Sequence, residues 1–169
     1  QTMECVHYRL SFYPRRPFFL TCHNCLSQNK RPIHYLKDSE ATLSRINQEL
    51  ERVVSQASPG DTLLLYYCGH GVQGKNGNTF FANYDADRNL SDTAWGIPSV
   101  FHTINEHFRG SCALLFADCC HSGALGDLVQ EQKGAVAFGS LSSTRAEANS
   151  SGNWTFTEAI LLALQGSPM

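Results

Sequence analysis

Residues 62–71 read TLLLYYCGHG, an apolar run that stops abruptly in Gly69, His70 and Gly71. Such a run is too short for a typical helix and shows no polar alternation. That is the pattern of a strand buried on both faces, as in a parallel sheet. The signature recurs downstream. Residues 112–117 form a second apolar run that ends at Asp118, followed by Cys119, Cys120, His121, Ser122 and Gly123. Residues 135–138 form a third, followed by GSLSSTR. Between the first two, apolar residues at 97, 100, 101, 104 and 108 mark an amphipathic helix that Gly110 stops.

Upstream, residues 33–36 read as a short strand, and Asp38 or Ser39 is placed to cap a helix carrying Leu43, Ile46, Leu50, Val53 and Val54. The Ser-Pro-Gly at 58–60 ends that helix. Residues 79–84 read as a strand after the turn at 76–78, residues 140–153 as a loop, and residues 154–164 as a closing helix. The segments 5–12 and 17–22 have strand-like composition, interrupted by Pro14 and Pro17. Strands alternating with helices predict a three-layer α/β/α sandwich with a mostly parallel sheet. Residues 1–32 form an atypical N-terminal segment, and 33–169 form the domain proper.

Such sheets build their sites at the carboxyl ends of the strands. Both sharp motifs fall there, so neighbouring strands would bring His70 close to a cysteine. A free thiol, with a pKa of about 8.5, is mostly protonated at neutral pH, and a nearby histidine can take its proton and later give it to a leaving amine. Amides of Gly71 and of the nucleophilic cysteine would supply an oxyanion hole. Gly123 would keep space open beyond the nucleophile. Neighbouring side chains on a strand face opposite ways, so Cys119 and Cys120 cannot both face the histidine, and geometry alone leaves the choice open.

YYCGHG and DCCHSG together resemble the His and Cys boxes of the caspase-like cysteine peptidases, the clan of caspases and metacaspases, and their interval of fifty residues fits that family. The resemblance covers residues 33–165, including AVAFGSLSS and WTFTEAILLAL. It implies a cysteine endopeptidase in which Cys120 is the nucleophile, His70 the general base, and Gly71 and Cys120 the oxyanion donors. It further implies that Asp118 lines a specificity pocket selecting Arg or Lys, with Cys68 standing where the family often has a pocket serine. Cys119 becomes a buried neighbour and His121 a pocket-edge or solvent residue. The family normally opens with a strand and helix ahead of the strand at 33, and residues 1–32 do not match that unit. No cofactor is implied beyond calcium activation, for which Asp85 and Asp87 are the nearest candidates, without forming a clear site.

Composition narrows the alternatives. The 169 residues suit one domain, and a net charge of −2 gives no general pull toward nucleic acid or an anionic membrane. No apolar run approaches the ~20 residues that span a bilayer, and no leader is visible, so a cytoplasmic protein is expected. Seven cysteines, an odd number, argue for reduced thiols. The chain opens on Gln1 rather than Met, so it reads as a fragment or a processed form. Cys22 and Cys25 have zinc-ligand spacing without a second well-placed pair, so packing is the expected role and no metal is assigned. Trp95 and Trp154 are expected in the core or as loop anchors, and His34, His102 and His107 at the surface. Lys133 and Arg145 are exposed basic candidates for self-cleavage. The expected partner is a protein or peptide substrate, with regulatory domains or partner chains left open. The alternative reading is a catalytically silent module of the same fold that binds partners.

Overall fold

The apolar runs become the centre of a five-stranded sheet. β3 (Thr62–Cys68) and β7 (Cys112–Asp118) lie side by side and parallel, pairing Thr62 with Cys112 and Cys68 with Asp118. β8 (Ala137–Ser142) adds in parallel on the far side of β7. β1 (Pro17–His23) lies antiparallel against the other edge of β3, and β2 (Ile33–Lys37) is antiparallel to β1. The order is β2-β1-β3-β7-β8, with β1 alone reversed. The computed structural model describes residues 17–23, 33–149 and 155–164, with β1 described by its backbone. The expected strand at 5–12, Trp154 and Cys25 lie outside the described residues.

Helices cover both faces of this sheet. α1 (Leu43–Ser55) buries Ile46, Leu50, Val53 and Val54, and α3 (Ile97–His107) buries Ile97, Val100, Phe101 and Ile104. These pack in one cluster with Leu63 and Leu65 of β3 and Ala113, Leu115 and Ala117 of β7. The alternate residues of the same strands face the other way. There α5 (Thr155–Leu164) docks, its Thr157 bonded to Tyr66 of β3 and Asp118 of β7. The result is the caspase-like α/β architecture that the strand pattern and the motifs predict. α4 (Ala124–Glu131) follows β7, and a small sheet of β4 (Gly71–Gln73), β5 (Thr79–Phe81) and β6 (Trp95–Gly96) flanks the main one. The short α2 (Leu90–Thr93) leads into β6.

Local departures from the sequence reading have local causes. Residues 38–40 form a 3-10 turn with Asp38 at φ 48°, and the cap of α1 is Thr42, whose Oγ1 accepts from the Arg45 N–H at 3.3 Å. β8 starts two residues later than expected and runs through Ser140, Leu141 and Ser142, because Leu115, Phe116 and Ala117 of β7 offer them a ladder whatever their polarity. β5 stops at Phe81 rather than 84, where Asn83 turns to donate to Asp85 and to the Thr93 carbonyl. α4 is a helix the sequence reading passed over, although Leu125, Leu128 and Val129 stand at helical spacing. His34 is not a free surface residue: its Nδ1 lies 2.9 Å from Glu49 Oε1. His102 and His107 are exposed as expected, and Trp95 is wholly buried, its indole N–H donating to Asn47.

Candidate active site

The in-register pairing of β3 and β7 decides what meets at their ends. The Gly69 N–H donates to the Asp118 carbonyl at 3.3 Å, carrying the ladder one step past Cys68. His70 and Cys120 then leave adjacent strands at equivalent positions. Gly71 lets the chains come this close, and Gly69 makes room for the Tyr67 side chain of its own strand. A Cβ on Gly71 would lie 1.7 Å from the Cys120 carbonyl oxygen and 3.1 Å from Cys119 Sγ. A Cβ on Gly69 would lie 2.4 Å from the Tyr67 hydroxyl. That hydroxyl sits 2.9 Å from the His70 carbonyl and 3.0 Å from the Ala82 carbonyl, and the Ala82 N–H donates to the His70 carbonyl at 2.9 Å. Tyr67 in turn stacks on Phe81 with ring centroids 4.2 Å apart. The backbone of His70 is therefore tied to a packed aromatic pair, while the residue itself is exposed.

The two cysteines have different surroundings. Cys119 is 1% exposed and belongs to the core cluster, whereas Cys120 is half-buried. The turn after them is held by residues 143–148. The Cys119 N–H donates to Ser143 Oγ at 3.1 Å, and Thr144 Oγ1 donates to the Cys119 carbonyl at 3.1 Å. Ser122, wholly buried, exchanges bonds with Thr144: its N–H donates to Thr144 Oγ1, and its Oγ accepts from the Thr144 N–H, each at 3.2 Å. His121 takes a left-handed conformation (φ 57°), donates its N–H to the Ala148 carbonyl, and sets Nδ1 2.9 Å from the Ala146 carbonyl. It is thus a clamp for this loop rather than a solvent residue. Gly123 does not keep space open. A Cβ there would lie 2.4 Å from the Ala146 N, so the loop fills that space.

Cys68 and Asp118 are register partners, and both are buried. Asp118 Oδ2 accepts from Thr157 Oγ1 at 2.6 Å, and Thr157 Oγ1 is also hydrogen-bonded to the Tyr66 hydroxyl. Burial is the main force pushing the Tyr66 phenol well above its usual range, with the nearby Asp118 and Cys68 acting in the same direction. Sequence reasoning placed Thr157 only within the closing helix at 154–164, with no role, and it passed over Ser143 and Thr144. Their only signal was a cluster of hydroxyl residues after the third apolar run.

Asp85 and Asp87 are engaged in the fold. Asp85 Oδ1 accepts from the Leu43 N–H at the start of α1 (2.8 Å) and from Asn83 Nδ2 (2.7 Å). Burial pushes its carboxyl upward, but these bonds and one from its own amide outweigh that and hold it below the usual range. Asp87 Oδ1 accepts from the Asn89 N–H and from Thr93 Oγ1. Among the described residues no three His, Cys, Asp or Glu side chains gather as metal ligands, and no helix is long and apolar enough to cross a membrane. A cavity of about 300 Å³ lies away from the two boxes, between the β4–β5 turn and residues 88–91, with Lys75, Asn78, Phe80 and Arg88 among its walls.

Two buried parallel strands ending in a histidine box and a cysteine box define a caspase-type cysteine peptidase domain. The chain belongs to the metacaspase, peptidase C14 domain family, whose model matches residues 18–129. Metacaspase-7 of Arabidopsis thaliana is 30% identical over 103 residues, covering 57% of this chain. The chain spans 25% of the length of that relative. No solved structure matches it significantly.

Proposed function

We propose that this chain is a cysteine endopeptidase working through a His70–Cys120 dyad, with preference for Arg or Lys on the acyl side of the cut. The observation that carries the reading is the β3–β7 register, Cys68 against Asp118, with Gly71 seated on the Cys120 carbonyl. Partial exposure favours Cys120 over the core-bound Cys119, since a nucleophile must reach its substrate. His70 takes the thiol proton as Cys120 Sγ attacks the scissile carbonyl, and the carbonyl oxygen becomes an oxyanion. When that intermediate collapses, His70 passes the proton to the departing amine and a thioester remains. Water, deprotonated by the same imidazole, releases the acid and restores the thiol.

The amides of Gly71 and Cys120 are the oxyanion donors in this scheme. The His70–Ala82 pair is hydrogen-bonded, so the next pair, Gly71 with Phe81, is a non-bonded one, and the Gly71 N–H is directed away from β5. One such donor is worth about 3–4 kcal/mol in a transition state. Asp118 and Cys68, buried side by side, would wall the pocket for the basic side chain, where a desolvated carboxylate pairs well with a guanidinium. The substrate is then a protein or peptide.

The test is a peptide ending in Arg before a fluorogenic amide, together with an Arg-bearing electrophile that traps the nucleophile. Turnover and labelling by the wild-type chain, both lost in Cys120→Ala, are the expected results. Labelling that survives in Cys120→Ala moves the nucleophile elsewhere. Absence of wild-type turnover points to the catalytically silent module instead.

A further inference from the structure

We infer that Thr157 is a positioning residue that fixes the specificity carboxylate of Asp118, as the middle of a three-residue relay from Tyr66. This rests on the proposed basic-residue preference and deepens it.

The direction of the relay follows from what each group can donate. A carboxylate only accepts, so Thr157 must spend its single hydroxyl proton on Asp118 Oδ2, at 2.6 Å. The Tyr66 hydroxyl, bonded to the same Thr157 oxygen, is then the donor to it. Burial, which holds the phenol protonated, keeps that donor in place. The three groups come from three elements: Tyr66 from β3, Asp118 from β7 and Thr157 from the first turn of α5. Tyr66 and Asp118 lie on the same face of adjacent strands, away from the apolar cluster, and α5 delivers the hydroxyl that joins them.

A guanidinium approaching Asp118 therefore meets a carboxylate whose plane is already set. An unheld carboxylate would rotate and have to be ordered on binding, at a cost in affinity. The relay also couples α5 to the pocket, so displacement of that helix would change selectivity before it changed the chemistry at Cys120.

The experiment compares Thr157→Val, Thr157→Ser, Tyr66→Phe and Asp118→Asn with the wild-type chain. It reads the ratio of kcat/KM for an Arg-ended over a Gln-ended peptide, and the rate at which iodoacetamide alkylates Cys120. Thr157→Val should lower the Arg-over-Gln ratio about tenfold, the scale of one hydrogen bond to a charged group, mainly through KM. Its alkylation rate should match the wild type, since that small uncharged reagent does not use the pocket. Thr157→Ser should restore the ratio, and Tyr66→Phe should lower it about threefold. A Thr157→Val ratio within twofold of wild type, while Asp118→Asn loses it, overturns the relay and leaves the peptidase reading intact. A ratio unchanged in Asp118→Asn removes the specificity reading and the relay together, and Cys120→Ala separately judges the dyad. Should Thr157→Val not fold, an unchanged ratio in Tyr66→Phe overturns the relay.

Discussion

Along β3 and β7, odd-numbered and even-numbered residues live in different environments. Leu63, Leu65, Ala113, Leu115 and Ala117 are at most 1% exposed against α1 and α3. On the opposite face Leu64, Leu114 and Phe116 are only half-buried, and the residues that are buried there, Tyr66, Cys68 and Asp118, carry polar atoms toward the strand ends. The same alternation continues into the cysteine pair: Cys119 joins the apolar cluster and Cys120 does not. One face holds the sheet together, and the other, with the strand ends, is free to carry chemistry. One strand can serve both tasks because successive side chains point to opposite faces and never compete for the same space.

The sharpest way to break this division is to make one substitution on both members of the cysteine pair. Cys120→Ser should fold as the wild type does and lose at least about 10³-fold in turnover, equivalent to about 4 kcal/mol of transition-state stabilisation. Cys119→Ser should leave activity per folded molecule within a few-fold. It should lower stability by about 1–3 kcal/mol, because it buries a hydroxyl among apolar side chains. Peptide turnover and urea unfolding on both variants decide it. If Cys119→Ser kills turnover without loss of stability, the pair divides its tasks the other way round.

A smaller effect tests the two faces within β7. Leu115→Ala removes a side chain that is 0% exposed in the core cluster and should cost about 2–5 kcal/mol. Leu114→Ala, one residue earlier on the half-buried face, should cost less than half as much. Equal midpoint shifts for the two would show both faces to be equally important to stability.

How much of this was legible in the chain follows from which forces are local. The runs 62–68 and 112–117 announced buried strands because continuous apolar sequence has few other uses; β3 spans the first run and β7 spans the second plus Asp118. Their adjacency was expected from the two boxes and is realised in the register. Polar pairing was harder to read. Ser140 and Ser142 looked like loop, yet they ladder with Leu115 and Ala117, since backbone pairing is indifferent to side-chain polarity. The cap of α1 was misplaced for a similar reason: Thr42 caps it locally, while Asp85 reaches its first turn from forty-two residues away, a contact no local pattern carries. Thr157 and the 143–148 clamp were equally hidden, because hydroxyl partners are chosen by the tertiary fold. The strand-like composition of 17–22 is realised as β1, but nothing local to it told that this strand would run reversed between β2 and β3.

The outer edge of the stable face supplies the mildest test, a pH dependence remote from the strand ends. Glu49 on α1 lies 2.6 Å from Arg52 Nη2 and 2.9 Å from His34 Nδ1 of β2. The hydrogen bond from Arg52 is the main influence, outweighing burial, and it holds the Glu49 carboxyl below its usual range, with attraction to Arg52, His34 and Arg45 adding to it. A carboxyl depressed in the folded state stabilises the fold above its unfolded pKa of about 4.3, and that contribution is lost as pH falls through the lower folded value. Arg52 is 43% exposed, so solvent screens the pair, and Glu49→Gln should cost only about 0.5–1 kcal/mol at neutral pH. The difference between wild type and Glu49→Gln, followed by urea midpoints, should shrink below pH 4 and be smaller in high salt. A difference that persists unchanged into acid would mean that Glu49 stabilises this edge by packing, and that β2 is held to α1 without help from charge.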